Sequence, residues 1–170
     1  MTGFIALLRA VNVGGTGKLA MSDLKALCES LGFSDVQTYI ASGNVVFTSD
    51  RAEQEIKRML ETALEAHAGK RVDVMVRTGP EMASVLADNP FPETPPNWTV
   101  AIFLDQPPPA DALDTIRGRD DEEITLGRRE IYVRYGKGMG KSKLRIPAAE
   151  TGTARNMNTV ARLVAMAGGR

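Results

Sequence analysis

The chain has 170 residues, 43% hydrophobic and 25% charged, with acids and bases equal in number, which excludes a disordered or fibrous protein. Its single cysteine, Cys28, cannot form an intramolecular disulfide, and no apolar run reaches the ~20 residues that span a bilayer, so the composition points to the reducing cytoplasm. Charge is unevenly placed: residues 127–170 hold ten Lys/Arg against two acids, a net +8, leaving −8 on residues 1–126. An anionic partner for the C-terminal part would explain this, and so would mutual neutralisation within the fold.

Phe4–Leu8 is a continuous apolar run closed by Arg9 and predicts a covered first strand rather than a signal peptide, since no basic residue precedes it. Asn12 to Lys18, with Gly14, Gly15 and Gly17, reads as a loop. A helix is expected from about Ser22, with Met21, Leu24, Leu27, Cys28 and Leu31 on one stripe and Gly32 as its stop. Val36–Ile40 and Val45–Thr48 read as strands joined by a turn at Ala41-Ser42-Gly43-Asn44, where Gly43 supplies a positive φ. Arg51–Ala68 has helical core spacing and Val72–Val76 alternates as a strand. The order β-α-β-β-α-β predicts a ferredoxin-like unit over residues 1–77.

Residues 78–170 begin again. Thr78 and Glu81 have the spacing of a capping box and open a helix to about Asp88. Asn89–Asn97 holds four of the nine prolines and is a loop. Strands are expected at Trp98–Leu104, Glu123–Thr125 and Arg129–Tyr135, and helices at Pro109–Arg117 and Ala154–Ala167. The fold class is therefore α+β: two ferredoxin-like (βαββαβ-type) subdomains with antiparallel sheets, the second rearranged. No residue-level repeat is visible, so the duplication rests on element order alone.

The loop Gly136–Lys143 contains Gly-Lys-Ser, but the phosphate-loop pattern needs glycine where Tyr135 stands, and Leu144–Pro147 opposes the helix start that should follow. What survives is a glycine-exposed backbone among several ammoniums, which can hold an anion or be a solvated hairpin. In the expected last helix, Arg155, Asn158, Thr159 and Arg162 fall on one face, and Arg155 and Asn156 lie in the first turn, where an anion is favoured. A solvated polar stripe, with the asparagines capping, explains the same pattern. No metal is expected: one Cys and one His, His67, supply no zinc ligand set, and Asp120–Glu123 is the kind of run that usually forms a solvated turn. A Ser-His-Asp triad lacks support for Ser42, and no catalytic residue or cofactor can be assigned.

Four segments resemble the bacterial family known as domain of unknown function 1697. They are Ile5–Gly15, Thr38–Phe47, Leu126–Tyr132 continued by Gly138–Leu144, and Thr153–Val160. The resemblance implies two ferredoxin-like subdomains and supplies no activity. Its polar members coincide with the loops and helix face singled out above. Arg9, Asn12, Lys18, Ser42, Asn44, Arg129, Lys141, Ser142, Lys143, Arg155, Asn156 and Asn158 are accordingly expected to converge on a groove between the subdomains and bind a phosphate- or carboxylate-bearing, nucleotide-like ligand. Whether such a protein would be an enzyme is left open. A nucleic-acid-binding module using the basic C-terminal face is an alternative, as is a protein-interaction domain without catalysis; the oligomeric state is not legible.

Overall fold

Thr2–Leu8 forms β1, Ser34–Tyr39 β2, Asn44–Ser49 β3 and Val74–Thr78 β4, joined through the helices Met21–Ser30 (α1) and Glu53–Ala68 (α2). The structure, a computed structural model, describes residues 1–12, 18–136 and 139–170; the expected glycine-loop positions 13–17 and 137–138 lie outside the described residues. Two compact units divide the chain: residues 1–82 with 163–170, and residues 83–162.

In the first unit the strands lie in the order β2-β3-β1-β4, every pair antiparallel. Strand alternation sends Phe4, Ala6, Leu8, Val45, Phe47, Val74 and Val76 to one face, where they form a single core with Leu24 and Cys28 of α1 and Ile56, Leu60 and Leu64 of α2. Each of those fully buried aliphatic side chains contributes roughly 1.5–3 kcal/mol relative to exposure. Phe47 stacks on Phe33 at 4.4 Å and on Phe4 at 6.1 Å. Both Phe4 and Phe47 are thus inside the core and present no ring on which a base could stack. Ile5, Leu7, Val46, Met75 and Arg77 take the opposite face and are buried too, so the continuous apolar run of β1 reflects a strand covered on both sides. Burial, with Glu29 adding to it, pushes the Cys28 thiol up to about 12, so it is protonated and inert at neutral pH.

Gly79–Ala87 forms α3, and its predicted capping box is present: the Thr78 N–H donates to Glu81 Oε1 at 2.8 Å and the Glu81 N–H to Thr78 Oγ1 at 3.2 Å. Thr99–Phe103 (β5), Glu123–Leu126 (β6), Glu130–Arg134 (β7) and Thr153–Asn156 (β8) build a second antiparallel sheet, followed by Met157–Ala167 (α4). Its order, β6-β7-β5-β8, repeats that of the first sheet strand for strand. The rearrangement lies in the crossovers. Where the first unit uses α1 and α2, the second uses short 3-10 turns at Ala112–Thr115, Met139–Lys141 and Pro147–Ala149. Ile116, Leu144 and Ile146 from these connections cover Val100, Ile131 and Val133 of the sheet.

Two expectations need correction. Pro109–Arg117 is not an α-helix; only Ala112–Thr115 turns, confined between three prolines and Gly118, which takes φ +69°. The last helix begins at Met157, and Thr153–Asn156 before it is a strand. Its inward residues are Thr153 and Arg155, so β8 carries its polar side chains on the buried face and shows no apolar alternation to read.

Candidate functional site

At the end of β1 the chain turns through left-handed backbone at Ala10 (φ +57°) and Asn12 (φ +56°), a conformation asparagine tolerates better than most residues. The Asn12 side chain then acts as a clamp. Its Nδ2 donates to the carbonyls of Leu19 (2.9 Å) and Ala41 (2.8 Å), and its Oδ1 accepts from the Leu19 N–H at 2.6 Å. The β2–β3 turn is fastened similarly: Asn44, fully buried, donates to the Tyr39 carbonyl (2.8 Å) and to Ser42 Oγ (2.9 Å). Gly43, at φ +89°, places its carbonyl to accept from the Leu8 N–H at 2.9 Å. The Arg9 N–H reaches the Asp73 carbonyl at 2.9 Å, which brings the α2–β4 connection to the same end of the sheet. Asn12, Ser42 and Asn44 therefore hold three chain segments together.

Asn12 holds Leu19 in place, and with it Lys18. These two residues line a cavity of about 200 Å³ with Leu64, His67, Lys70 and Val72. The apolar groups come from α2 and the approach to β4; Lys18, His67 and Lys70 are exposed at its rim. His67 Nε2 also lies 4.0 Å from an Asp23 carboxylate oxygen. The cavity thus combines an apolar lining with cationic or neutral polar groups, and no carboxylate is among its described lining residues. His67 and Lys70 were not among the expected site residues. The signal for them was topological: an antiparallel β1–β4 pair returns the start of β4, and the residues just before it, to the end of β1.

The second unit holds the other expected residues. The Arg129 guanidinium donates to the Asp105 carbonyl through Nε (3.1 Å) and Nη2 (2.8 Å), fixing the chain after β5. Arg155, 7% exposed in β8, donates to Thr153 Oγ1 at 2.6 Å and to the Ala154 carbonyl at 2.9 Å. Burial pushes its guanidinium down to about 10, which leaves it charged at neutral pH. It does not share a helix face with Asn158 and Arg162, as the helical spacing had suggested. Asn156 also precedes α4, and its Oδ1 accepts from the Thr159 N–H at 3.0 Å, an N-cap in place of the expected anion position. Asn158 is exposed in the first turn.

Lys141, Ser142 and Lys143 line a second cavity, of about 270 Å³, together with Asp120, Asp121 and Glu122. Glu122 is buried; Ser142 Oγ donates to its Oε2 at 2.5 Å and the Asp120 N–H to its Oε1 at 2.6 Å. The Ser142 hydroxyl, then the Asp120 N–H, hold the Glu122 carboxyl below the usual carboxylate range. Such an acid stabilises the fold above its unfolded pKa and loses that contribution as pH falls through the lower folded value. Ser142→Ala should therefore cost about 1–2 kcal/mol near pH 7. In urea melts the gap between variant and wild type should close as pH falls below the carboxylate range; a gap independent of pH would contradict this.

The C-terminal positive charge is partly answered within each unit. Arg134 pairs with Glu123 at 2.6 Å and Arg170 with Asp35 at 3.3 Å. The expected site residues divide between the units, Arg9, Asn12, Lys18, Ser42 and Asn44 in the first and the remaining seven in the second, and of these Lys18 lines the first cavity and Lys141, Ser142 and Lys143 the second. Asp120, Asp121 and Glu122 line the second cavity although their charge run has the pattern of a solvated turn.

Among the described residues, no cluster of His, Cys, Asp and Glu could hold a metal ion, and no helix is long and apolar enough to cross a membrane. No curated protein matches the chain. A solved structure, that of the conserved bacterial protein SP0830 from Streptococcus pneumoniae, is similar with a TM-score of 0.81 and 23% identity, covering 98% of this chain and 98% of that one. At that identity the likeness shows the fold, a mixed α/β architecture with two four-stranded antiparallel sheets and four α-helices among the described residues. The family described as protein of unknown function DUF1697 matches residues 1–132, a span that includes the Asn12 clamp and the Lys18 cavity, and the chain belongs to that family.

Proposed function

We propose that the protein binds a small anionic, phosphate-bearing ligand in the first-unit cavity lined by Lys18, His67 and Lys70. The observation that carries this reading is the charge of that cavity: two ammoniums and an imidazole line it with the apolar Leu19, Leu64 and Val72, and no carboxylate is among the described lining residues. Small-ligand sites commonly have this composition, an apolar lining with a few polar groups that fix orientation. Asn12, Ser42 and Asn44 serve as positioning residues, since their hydrogen bonds go to the backbone and to each other. In the same reading each unit is a ferredoxin-like subdomain, supported by the strand order the two sheets share, and the protein is cytoplasmic, which suits its buried free thiol.

Thermal shift with pyrophosphate and nucleoside phosphates tests the proposal. A ligand at about 100 times its dissociation constant stabilises by about 2.7 kcal/mol. For a chain of this length that raises Tm by about 5–10 °C. The shift should shrink with added salt, because the cations are exposed. No shift with any phosphate-bearing probe, together with salt-sensitive binding of RNA or DNA, would replace this reading with the nucleic-acid one.

A further inference from the structure

The second-unit cavity differs from the first in carrying both signs of charge. The loop after Gly118 contributes Asp120, Asp121 and Glu122, and the loop after β7 contributes Lys141 and Lys143. A bare anion entering it meets three carboxylates, and a bare cation meets two ammoniums; like-charge contacts of this kind select against both.

The two loops are also held close and in register. Arg117 and Arg145 exchange backbone hydrogen bonds of 2.9 and 2.7 Å. A Cβ on Gly118, which sits at φ +69°, would clash with the Lys143 backbone carbonyl, so only glycine allows that approach, and Gly136 lies against the Asp121 carboxylate. Ser142 bridges across to Glu122. The charges therefore sit on a preassembled frame, which lowers the ordering cost of binding. Glu122 is a fixed charge at the back, whereas Asp120 is exposed and Asp121 half-buried at the cavity.

The geometry points to a second binding site, for a small zwitterion whose ammonium faces Asp120 and Asp121 and whose phosphate or carboxylate faces Lys141 and Lys143. The volume suits a molecule of amino-acid size. The site is independent of the anion cavity in the first unit, and its ligand differs from that of the first in requiring a positive group.

The test is a titration of the isotopically labelled full chain, followed by amide chemical shifts, with phosphoethanolamine, inorganic phosphate and ethanolamine as separate probes. Phosphoethanolamine should move the amides of Gly118, Asp121, Ser142 and Lys143 saturably, and each half-molecule should bind there about tenfold more weakly or worse. γ-Aminobutyrate, with a carboxylate in place of the phosphate, distinguishes the two anionic groups; saturable binding by either zwitterion supports the site. Asp121→Asn and Lys143→Ala should each weaken binding while leaving the melting temperature near that of wild type. Phosphate alone shifting these amides as strongly as the zwitterions would overturn the proposal, as would tighter binding by Asp121→Asn or the absence of saturable shifts here. Shifts at Lys18, Leu19 and Val72 in the same spectra report the first-unit cavity separately, so failure at one site is not mistaken for failure at the other.

Discussion

Gly43→Ala is expected to destabilise the protein by about 2–4 kcal/mol in urea unfolding, the largest single-methyl effect in the first unit. Two costs add. At φ +89° an L side chain is strained, for about 1–2 kcal/mol. The new methyl would also lie 2.6 Å from Val11 Cγ2 and 2.9 Å from Leu8 Cβ, and both neighbours are buried and cannot move aside. Overpacking of this sort costs typically about 1–3 kcal/mol. Gly69→Ala separates the terms, because Gly69 has φ +73° as the α2 C-cap but, among the described residues, nothing within 4 Å of its would-be Cβ. It should pay only the backbone cost, about 1 kcal/mol. Equal losses in the two variants would show that the packing at Gly43 is not as described.

Asn12→Ala should cost about 2–4 kcal/mol and abolish the thermal response to pyrophosphate. The substitution removes both Nδ2 donations and leaves the Leu19 N–H without its 2.6 Å acceptor. It also puts alanine at φ +56°. Asn12→Gly relieves the backbone and not the hydrogen bonds, so it should recover about 1 kcal/mol of the loss and none of the binding. Recovery of pyrophosphate binding in Asn12→Gly would show that the Lys18–Leu19 segment does not depend on the clamp.

The first unit was legible because its elements obey simple periods. The apolar run of β1, the heptad-like stripe of α2 and the glycine stop after α1 all report burial directly, and the element order follows from them. The second unit was harder, since its sheet is covered by 3-10 turns and loop residues such as Ile116 and Ile146, which carry no helical period. β8 was invisible because its inward positions are Thr153 and Arg155; the buried guanidinium is satisfied by a neighbouring hydroxyl and carbonyl, a pairing no pattern announces. At the candidate site the polar motif residues were found, but their work was not. Asn12, Asn44 and Asn156 bond backbone groups and Ser42 accepts from Asn44, while the cavity residues His67 and Lys70 come from the end of α2 and just beyond it, remote in sequence from Lys18 and brought to it by β1–β4 pairing.

The most direct measurement is a calorimetric titration of pyrophosphate at low ionic strength into wild type and into the Lys18→Ala/Lys70→Ala double variant. Removing both exposed ammoniums should weaken binding by about tenfold or more while leaving the melting temperature of the unliganded protein within about a degree or two. Wild-type affinity retained in the double variant, or no pyrophosphate binding by the wild type, would contradict an anion site at this cavity.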